Sequence, residues 1–237
     1  MAVNESWLAA KLKARAVLPL AFAGETWLMD GRCALYHPAK RTLVVSDLHL
    51  EKGSFLSSFA HPLPRLDTRA TLTRLASLLD DYQPTAVICL GDSFHDKLSV
   101  NRMSSADITF LLDLVNNSPC WNWVLGNHDP HIPDRIPGER VAEIIWPNLR
   151  LCHEPLAKPS PKPQLLGHFH PKCKIAVNRQ RYQGRCFLKS SRYLVLPAFG
   201  QYTGGLNVNH EALLELVPKK ERECFMVFEG AVYAGGG

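Results

Sequence analysis

The stretch TAVICLGDSFHD, residues 85–96, decides the fold. Its first six residues form a short apolar run of the kind that makes a buried strand. At Gly91-Asp92 the run stops and polar side chains follow. Two other stretches repeat this plan. TLVVS at 42–46 stops at Asp47-Leu48-His49, and CWNWVL at 120–125 stops at Gly126-Asn127-His128-Asp129. Helical patterns lie between them. Residues 67–82 carry apolar positions 72, 75, 78 and 79 on one stripe, with Asp67 or Thr68 as the cap and Pro84 past the end. Residues 104–115 form a second helix capped by Ser104 or Ser105. Strands alternating with helices predict βαβ units and a largely parallel sheet.

Beyond residue 140 the pattern changes to short strand-like runs at 141–146, 149–152, 164–167, 173–177, 185–188, 193–196 and 224–228, with a short helix at 211–216. Four prolines in the nine residues from Pro155 to Pro163 make that segment a loop. Upstream, the apolar run Ala16 to Ala23 resembles a signal peptide in outline. Pro19 interrupts it, and Glu5 and Trp7 sit in the would-be charged region. Continued into Thr26 to Met29, it reads better as a β-hairpin turned at Gly24-Glu25. The expected architecture is α/β, a single domain over residues 1–237, with two packed sheets flanked by helices.

The chain has 237 residues, 46% of them hydrophobic and 21% charged, which excludes disordered, collagenous and coiled-coil classes. That length buries a core without disulfide staples. No apolar run approaches the roughly 18 residues of a membrane span. Seven cysteines, an odd number with no CxxC pair, fit a reducing compartment, and a cytoplasmic location is expected. Cys89, Cys120 and Cys152 lie in strand-like runs, where a thiol serves as a small hydrophobe.

The chemistry sits beyond the strand ends, where open α/β sheets bind ligands. Besides the three turns above, strand 149–152 ends at His153, and 164–166 leads into Gly167-His168-Phe169-His170. Six of the ten histidines fall in these five turns; His37, His61, His131 and His210 read as ordinary polar surface residues. In D-x-H and H-x-H, residues i and i+2 of an extended segment point the same way, so each pair can grip one ion. Imidazole, carboxylate and amide oxygen together suit Mn, Fe, Zn or Ni. The set exceeds what one ion needs. It suits two ions about 3.5–4 Å apart that activate a water and clamp a phosphoryl group.

Charge is unevenly spread. The net is +5, yet Pro155 to His210 holds no Asp or Glu and nine basic residues: Lys158, Lys162, Lys172, Lys174, Arg179, Arg181, Arg185, Lys189 and Arg192. A surface of one sign suits a polyanion.

The motifs DLH, GDSFHD, GNHD, a solitary histidine and GHFH, in that order, resemble the calcineurin-like metallophosphoesterase superfamily. DLHLEKG at 47–53, DTRATLTRL at 67–75 and LPAFGQYTGGLNV at 196–208 extend the resemblance to the bacterial DNA ligase-associated metallophosphoesterases, the ligase-associated DNA-damage-response endonucleases. The resemblance implies a four-layered αββα sandwich and a dinuclear, usually manganese, centre. Carried over by motif, Asp47, His49 and His170 hold the first metal, Asp92 bridges, and Asn127, His153 and His168 hold the second. His128 matches the histidine that contacts phosphate and protonates the leaving oxygen. His95 stands where many members carry an aspartate that pairs with that histidine. Asp96 or Asp129 is left to orient His128, and His95 is free to meet phosphate as an imidazolium or to act as a proton donor.

The function implied is a metal-dependent DNA phosphodiesterase or endonuclease in repair, with a DNA ligase and a helicase-like protein as associates and no membrane partner. A nucleic-acid backbone would meet Lys172 and Lys174. The glycines of FGQYTGG at 199–205 fit either a loop that approaches substrate or a turn-rich packing loop. The alternative function is a phosphodiesterase of cyclic nucleotides or nucleotides; a third is an inactive scaffold, which the intact ligand set disfavours.

Overall fold

The computed structural model describes residues 5–58, 66–158, 160–177 and 180–235. His61, Pro159 and Arg179 lie outside them. Two sheets face each other. The first holds β1 (Val17–Phe22), β2 (Glu25–Asp30), β3 (Ala34–His37), β4 (Thr42–Val45), β5 (Ala86–Leu90), β6 (Trp121–Val124) and β7 (Glu139–Val141), in that spatial order. The second holds β8 (Glu143–Ile145), β9 (Arg150–Cys152), β10 (Gln164–Leu166), β11 (Lys172–Val177), β12 (Gln180–Lys189), β13 (Tyr193–Val195), β14 (Glu223–Phe228) and β15 (Ala231–Gly235). Its order runs β15-β14-β12-β13-β10-β9-β8, with β11 paired to β12 off that path. The helices are α1 (Glu5–Lys13), α2 (Lys52–Ser57), α3 (Asp67–Tyr82), α4 (Ser99–Arg102), α5 (Ser105–Asn116) and α6 (Glu211–Leu216).

In the first sheet the expectation of parallel pairing holds for β4 to β7, and in the second for β9, β10 and β13. The strands β1 to β4 form an antiparallel meander, because their connections are too short for the crossover that parallel pairing requires. The hairpin turn lies at Ala23-Gly24, one residue earlier than expected, and both residues are left-handed (φ 54° and 76°). That is the turn whose twist matches two-residue hairpins.

Three apolar layers hold four layers of structure together. Leu72, Leu75 and Leu78 of α3 and Leu111 of α5 pack on Leu43, Val45, Val87 and Cys89. Val44, Ile88 and Val124 of the first sheet meet Leu151, Leu165, Phe187 and Leu194 of the second. Outside the second sheet, Leu213 of α6 and Val208 cover Cys186, Leu188 and Val195. The fold is thus the αββα sandwich, with a fourth layer of one short helix and loop.

Several local expectations are corrected. The cap position of α3 is Leu66, without a side-chain hydrogen bond; Asp67 and Thr68 are turned elsewhere, as described below. Ser104 does cap α5, accepting from the Asp107 amide. Cys120 is exposed, unlike the other six thiols. His37 is buried rather than a surface residue, packed edge-on against Trp27 and Trp146. His131 and His210 are exposed. No helix of the described residues is long and apolar enough to cross a membrane.

Candidate metal centre

Parallel pairing of β4, β5 and β6, and of β9 and β10, brings all five motif turns to one edge of the sandwich. Backbone bonds continue past the strand ends and lock the turns together. The Asp47 amide donates to Gly91 O at 3.1 Å and the His49 amide to Asp92 O at 2.9 Å. Within the second sheet the Gly167 amide donates to His153 O at 3.1 Å, and across the sheets the Gly200 amide donates to Asp47 O at 2.9 Å.

The D-x-H and H-x-H pairs do converge, but not through an extended backbone. Asp47 and His49 have φ of 54° and 44°, His168 and His170 of 68° and 47°, and Asp92 of 46°. Left-handed residues are costly for non-glycine side chains and gather where surrounding structure imposes them, often at functional sites. Two motif glycines serve close approach. A Cβ on Gly91 would lie 2.0 Å from His153 Nδ1, and one on Gly126 would lie 2.2 Å from Asp92 Oδ1.

Among the described residues three donor groups result: Asp47, His49 and His170; Asp92, His153 and His168; and His49, His95 and His128, which shares His49 with the first. In the first, His170 Nε2 is 3.0 Å from Asp47 Oδ1 and 3.3 Å from His49 Nε2. In the second, Asp92 Oδ2 is 3.2 Å from His153 Nε2. Asn127 Oδ1 completes that group, 3.1 Å from both His153 Nε2 and His168 Nδ1. Donors bound to one ion at about 2.1 Å stand about 3.0–3.4 Å apart, so these spacings fit divalent ions. Asp92 Oδ2 also lies 3.8 Å from His49 Nε2, which sets the carboxylate between the groups.

Without ions, the charges compensate one another. Burial opposes an anionic Asp92, but the hydrogen bond and charge of His153 outweigh it and hold its pKa down at about 2. Burial likewise opposes a charged His153, yet Asp92 and Asp47 push it up to about 9. Burial dominates at His49, reinforced by His170, and takes it down to about 3.

His128 Nδ1 lies 2.9 Å from the carbonyl oxygen of His95, which can only accept; the ring therefore donates there. The carboxylates expected to orient His128 are engaged elsewhere. Asp96 binds Arg102 and accepts from the Leu98 amide at 2.7 Å. Asp129 accepts from the amides of Phe94 and Gly126, both at 3.0 Å. His95 is buried, stacked on His128 at 5.2 Å between ring centres, with Nδ1 3.3 Å from His49 Nδ1. Burial, with Lys52 and His128 nearby, pushes its pKa down to about 4. That environment favours the neutral imidazole over the imidazolium, one of the two roles read for His95 from the sequence.

The remaining motif residues support the turns. Asp67 accepts from the Gly53 amide at 2.8 Å, and Thr68 Oγ1 from the Glu51 amide at 2.9 Å. Arg74 donates to Phe199 O and lies over that ring; Arg185 donates to Ala198 O at 3.0 Å and Gly200 O at 2.7 Å. The loop 199–201 is thus clamped against Asp47, which favours packing over substrate approach. Four of the acid-free segment's cations are spent structurally: Arg185, Lys162 on Trp146 O, Arg192 on Ser160 O and Lys189 on Glu223. Lys52 was missed in the sequence; its only signal was its place in DLHLEKG.

A sequence model of the family described as Calcineurin-like phosphoesterase matches residues 40–171, the span of all five motifs. A search of curated proteins gives no match. Among solved structures, the Pseudomonas putida nuclease MPE is 26% identical with a TM-score of 0.72, over 92% of this chain and 99% of that one. Yfce, a phosphoesterase from E. coli, is 13% identical with a TM-score of 0.38, over 79% of this chain and 88% of its own.

Proposed function

The chain belongs to the calcineurin-like phosphoesterase family and is a metal-dependent phosphoester hydrolase, and we propose that it is a nuclease that cleaves DNA phosphodiester bonds. The observation that carries this reading is the end-to-end likeness to a nuclease of the same length class, together with two donor groups that meet at Asp92. Manganese is the proposed metal on the motif resemblance; the imidazole, carboxylate and amide donors suit Mn, Fe, Zn or Ni alike. A role in DNA repair beside a ligase and a helicase-like protein, in the cytoplasm, is proposed on the motif resemblance.

Asp47, His49 and His170 would hold one ion, and Asn127, His153 and His168 the other, with Asp92 shared. Two divalent ions in that place supply an activated water and neutralise charge on the phosphoryl oxygens. The chain does the rest. The His95 carbonyl holds a hydrogen on His128 Nδ1, so the proton handed to the departing oxygen is the second one, on Nε2 of the imidazolium, and the ring is left as the neutral Nδ1–H tautomer, a step worth typically 10²–10⁴-fold. Asp92 Oδ1 accepts from the His128 amide at 2.9 Å, so acid and bridging carboxylate are held in one frame.

The test is turnover by metal-stripped protein reloaded with manganese. The substrates are labelled single- and double-stranded DNA, bis-p-nitrophenyl phosphate, p-nitrophenyl phosphate and 2′,3′-cyclic nucleotides, at two salt concentrations. DNA cleavage that needs manganese and His128 is expected. Turnover of the small diesters with intact DNA would reassign the site to cyclic nucleotides or nucleotides.

A further inference from the structure

Two lysines stand beside the first donor group. Lys52 opens α2, and its amide donates to the carbonyl of His49 at 3.2 Å. Lys172 opens β11, two residues past His170; its amide donates to Leu206 O at 2.8 Å and its carbonyl accepts from Val208 at 2.9 Å. His49 and His170 meet at 3.3 Å through their Nε2 atoms. Lys52 is therefore tied to one of two touching donors by a backbone hydrogen bond, and Lys172 follows the other by two residues along the chain. Gly205 packs against Lys172: a Cβ there would lie 3.1 Å from the lysine Cε and 2.1 Å from His170 O. Both lysines are half-buried, and neither ammonium makes a hydrogen bond or ion pair with a described residue.

Such a pair is unfavourable without an anion. Lys52 stands close enough to Lys172 for the two charges to repel, and close enough to Asp92 to feel its pull. The carboxylates within the described donor groups are Asp47 and Asp92, and two divalent ions would outweigh them. A single diester phosphate brings one negative charge to this surplus. A strand brings several.

We propose that Lys52 and Lys172 form a phosphate subsite for the nucleotide next to the scissile bond, on the His49–His170 side of the metal centre. This rests on the nuclease reading above and deepens it: the preferred substrate is an extended strand with a backbone phosphate beside the cut one. Each lysine anchors a phosphate oxygen and fixes the register of the strand. The subsite gives no advantage to a diester with one phosphate.

The experiment compares Lys52→Met, Lys172→Met and the double variant with the manganese-loaded parent, and Lys220→Met, an exposed lysine on the opposite chain segment, as control. Steady-state kinetics are run on a single-stranded oligonucleotide and on bis-p-nitrophenyl phosphate. Binding of a labelled oligonucleotide is measured against salt by anisotropy, in a His128→Ala background that slows cutting. The expected result is a rise in KM for the oligonucleotide at least tenfold larger than that for bis-p-nitrophenyl phosphate. Each lysine should also remove about 0.7 from the slope of log affinity against log salt, the value for one contact to a single strand. Lys52→Arg should restore the slope. Equal losses on both substrates would move the lysines to the scissile phosphate, and an unchanged slope would remove them from the strand; either overturns the subsite. A parent protein that turns over bis-p-nitrophenyl phosphate but neither binds nor cuts the oligonucleotide overturns the nuclease reading instead.

Discussion

The ring of His128 is oriented by a backbone carbonyl, that of His95, 2.9 Å from its Nδ1. A carbonyl can only accept, so Nδ1 keeps its hydrogen in both the neutral and the charged ring, and Nε2 is the nitrogen that gains and loses the catalytic proton. His128→Ala should lower kcat by about 10²–10⁴ on substrates with a poor leaving group. The loss should be smaller on p-nitrophenyl esters, whose leaving group departs without a proton. Metal content by plasma spectrometry should equal that of the parent. An equal loss on both kinds of ester would remove the proton-donor role. Asp96→Asn should act differently: it weakens the Arg102 pairing and lowers thermal stability while the leaving-group dependence stays as in the parent.

His95 also faces His49, Nδ1 to Nδ1 at 3.3 Å. A His49 that gives its Nε2 pair to an ion carries its hydrogen on Nδ1, so His95 must accept. Such outer partners are worth typically 10–100-fold in metal affinity. His95→Ala should weaken binding of the first ion by roughly that factor, whereas His95→Asn, with an amide oxygen to accept, should recover most of it. Competition with a chelating dye measures both. Tight binding by the alanine variant would break the argument.

Asp92 Oδ2 lies between the two groups, 3.2 Å from His153 and 3.8 Å from His49. Asp92→Ala should therefore cost both ions, and His168→Ala only one. Metal-to-protein ratios after desalting decide this. A full complement on the Asp92 variant would refute the bridging role.

The parts of the fold set by local pattern were legible. The helix over 67–82 and the three motif strands follow from periodicity and from apolar runs stopped by Gly-Asp or Gly-Asn. The candidate ligands stood out because each follows a strand, and the structure brings them together at one edge of the sandwich. What was not legible depends on backbone geometry or on distant partners. Asp67 looks like a cap in sequence, but its carboxylate is used by Gly53, 14 residues away. The left-handed conformations at Asp47 and His49 leave no mark in a D-x-H motif. His37 looks like a polar loop residue until Trp27 and Trp146 enclose it.

The thiols give a test of packing. Six of the seven are buried, and Cys120 alone is exposed. Burial pushes the Cys224 thiol up to about 11 and Cys152 to about 12, so neither is a thiolate near pH 8. A disulfide reagent at pH 8 should label one thiol rapidly in the native protein and seven in denaturant. Cys120→Ser should abolish the rapid phase. A rapid phase of several thiols would mean that the second sheet's outer layer opens readily.

Protons and ions compete for His153. In the ion-free state burial opposes its charge, but Asp92 and Asp47 prevail and raise its pKa to about 9. Below pH 9 the ring carries a proton that an ion must displace; above it, none. The sign follows directly: affinity of the second ion rises with pH, by up to about tenfold per unit, and levels off above pH 9. The same raised pKa favours the folded ion-free protein fully below about pH 6.5, and that contribution fades as pH climbs through 9. Calorimetric titration at pH 7.5 in buffers of different ionisation heat should show about one proton released with the second ion. His153→Ala should release none and hold that ion poorly. Binding without proton release in the parent would mean that His153 is already neutral, and that a partner other than Asp92 sets its charge.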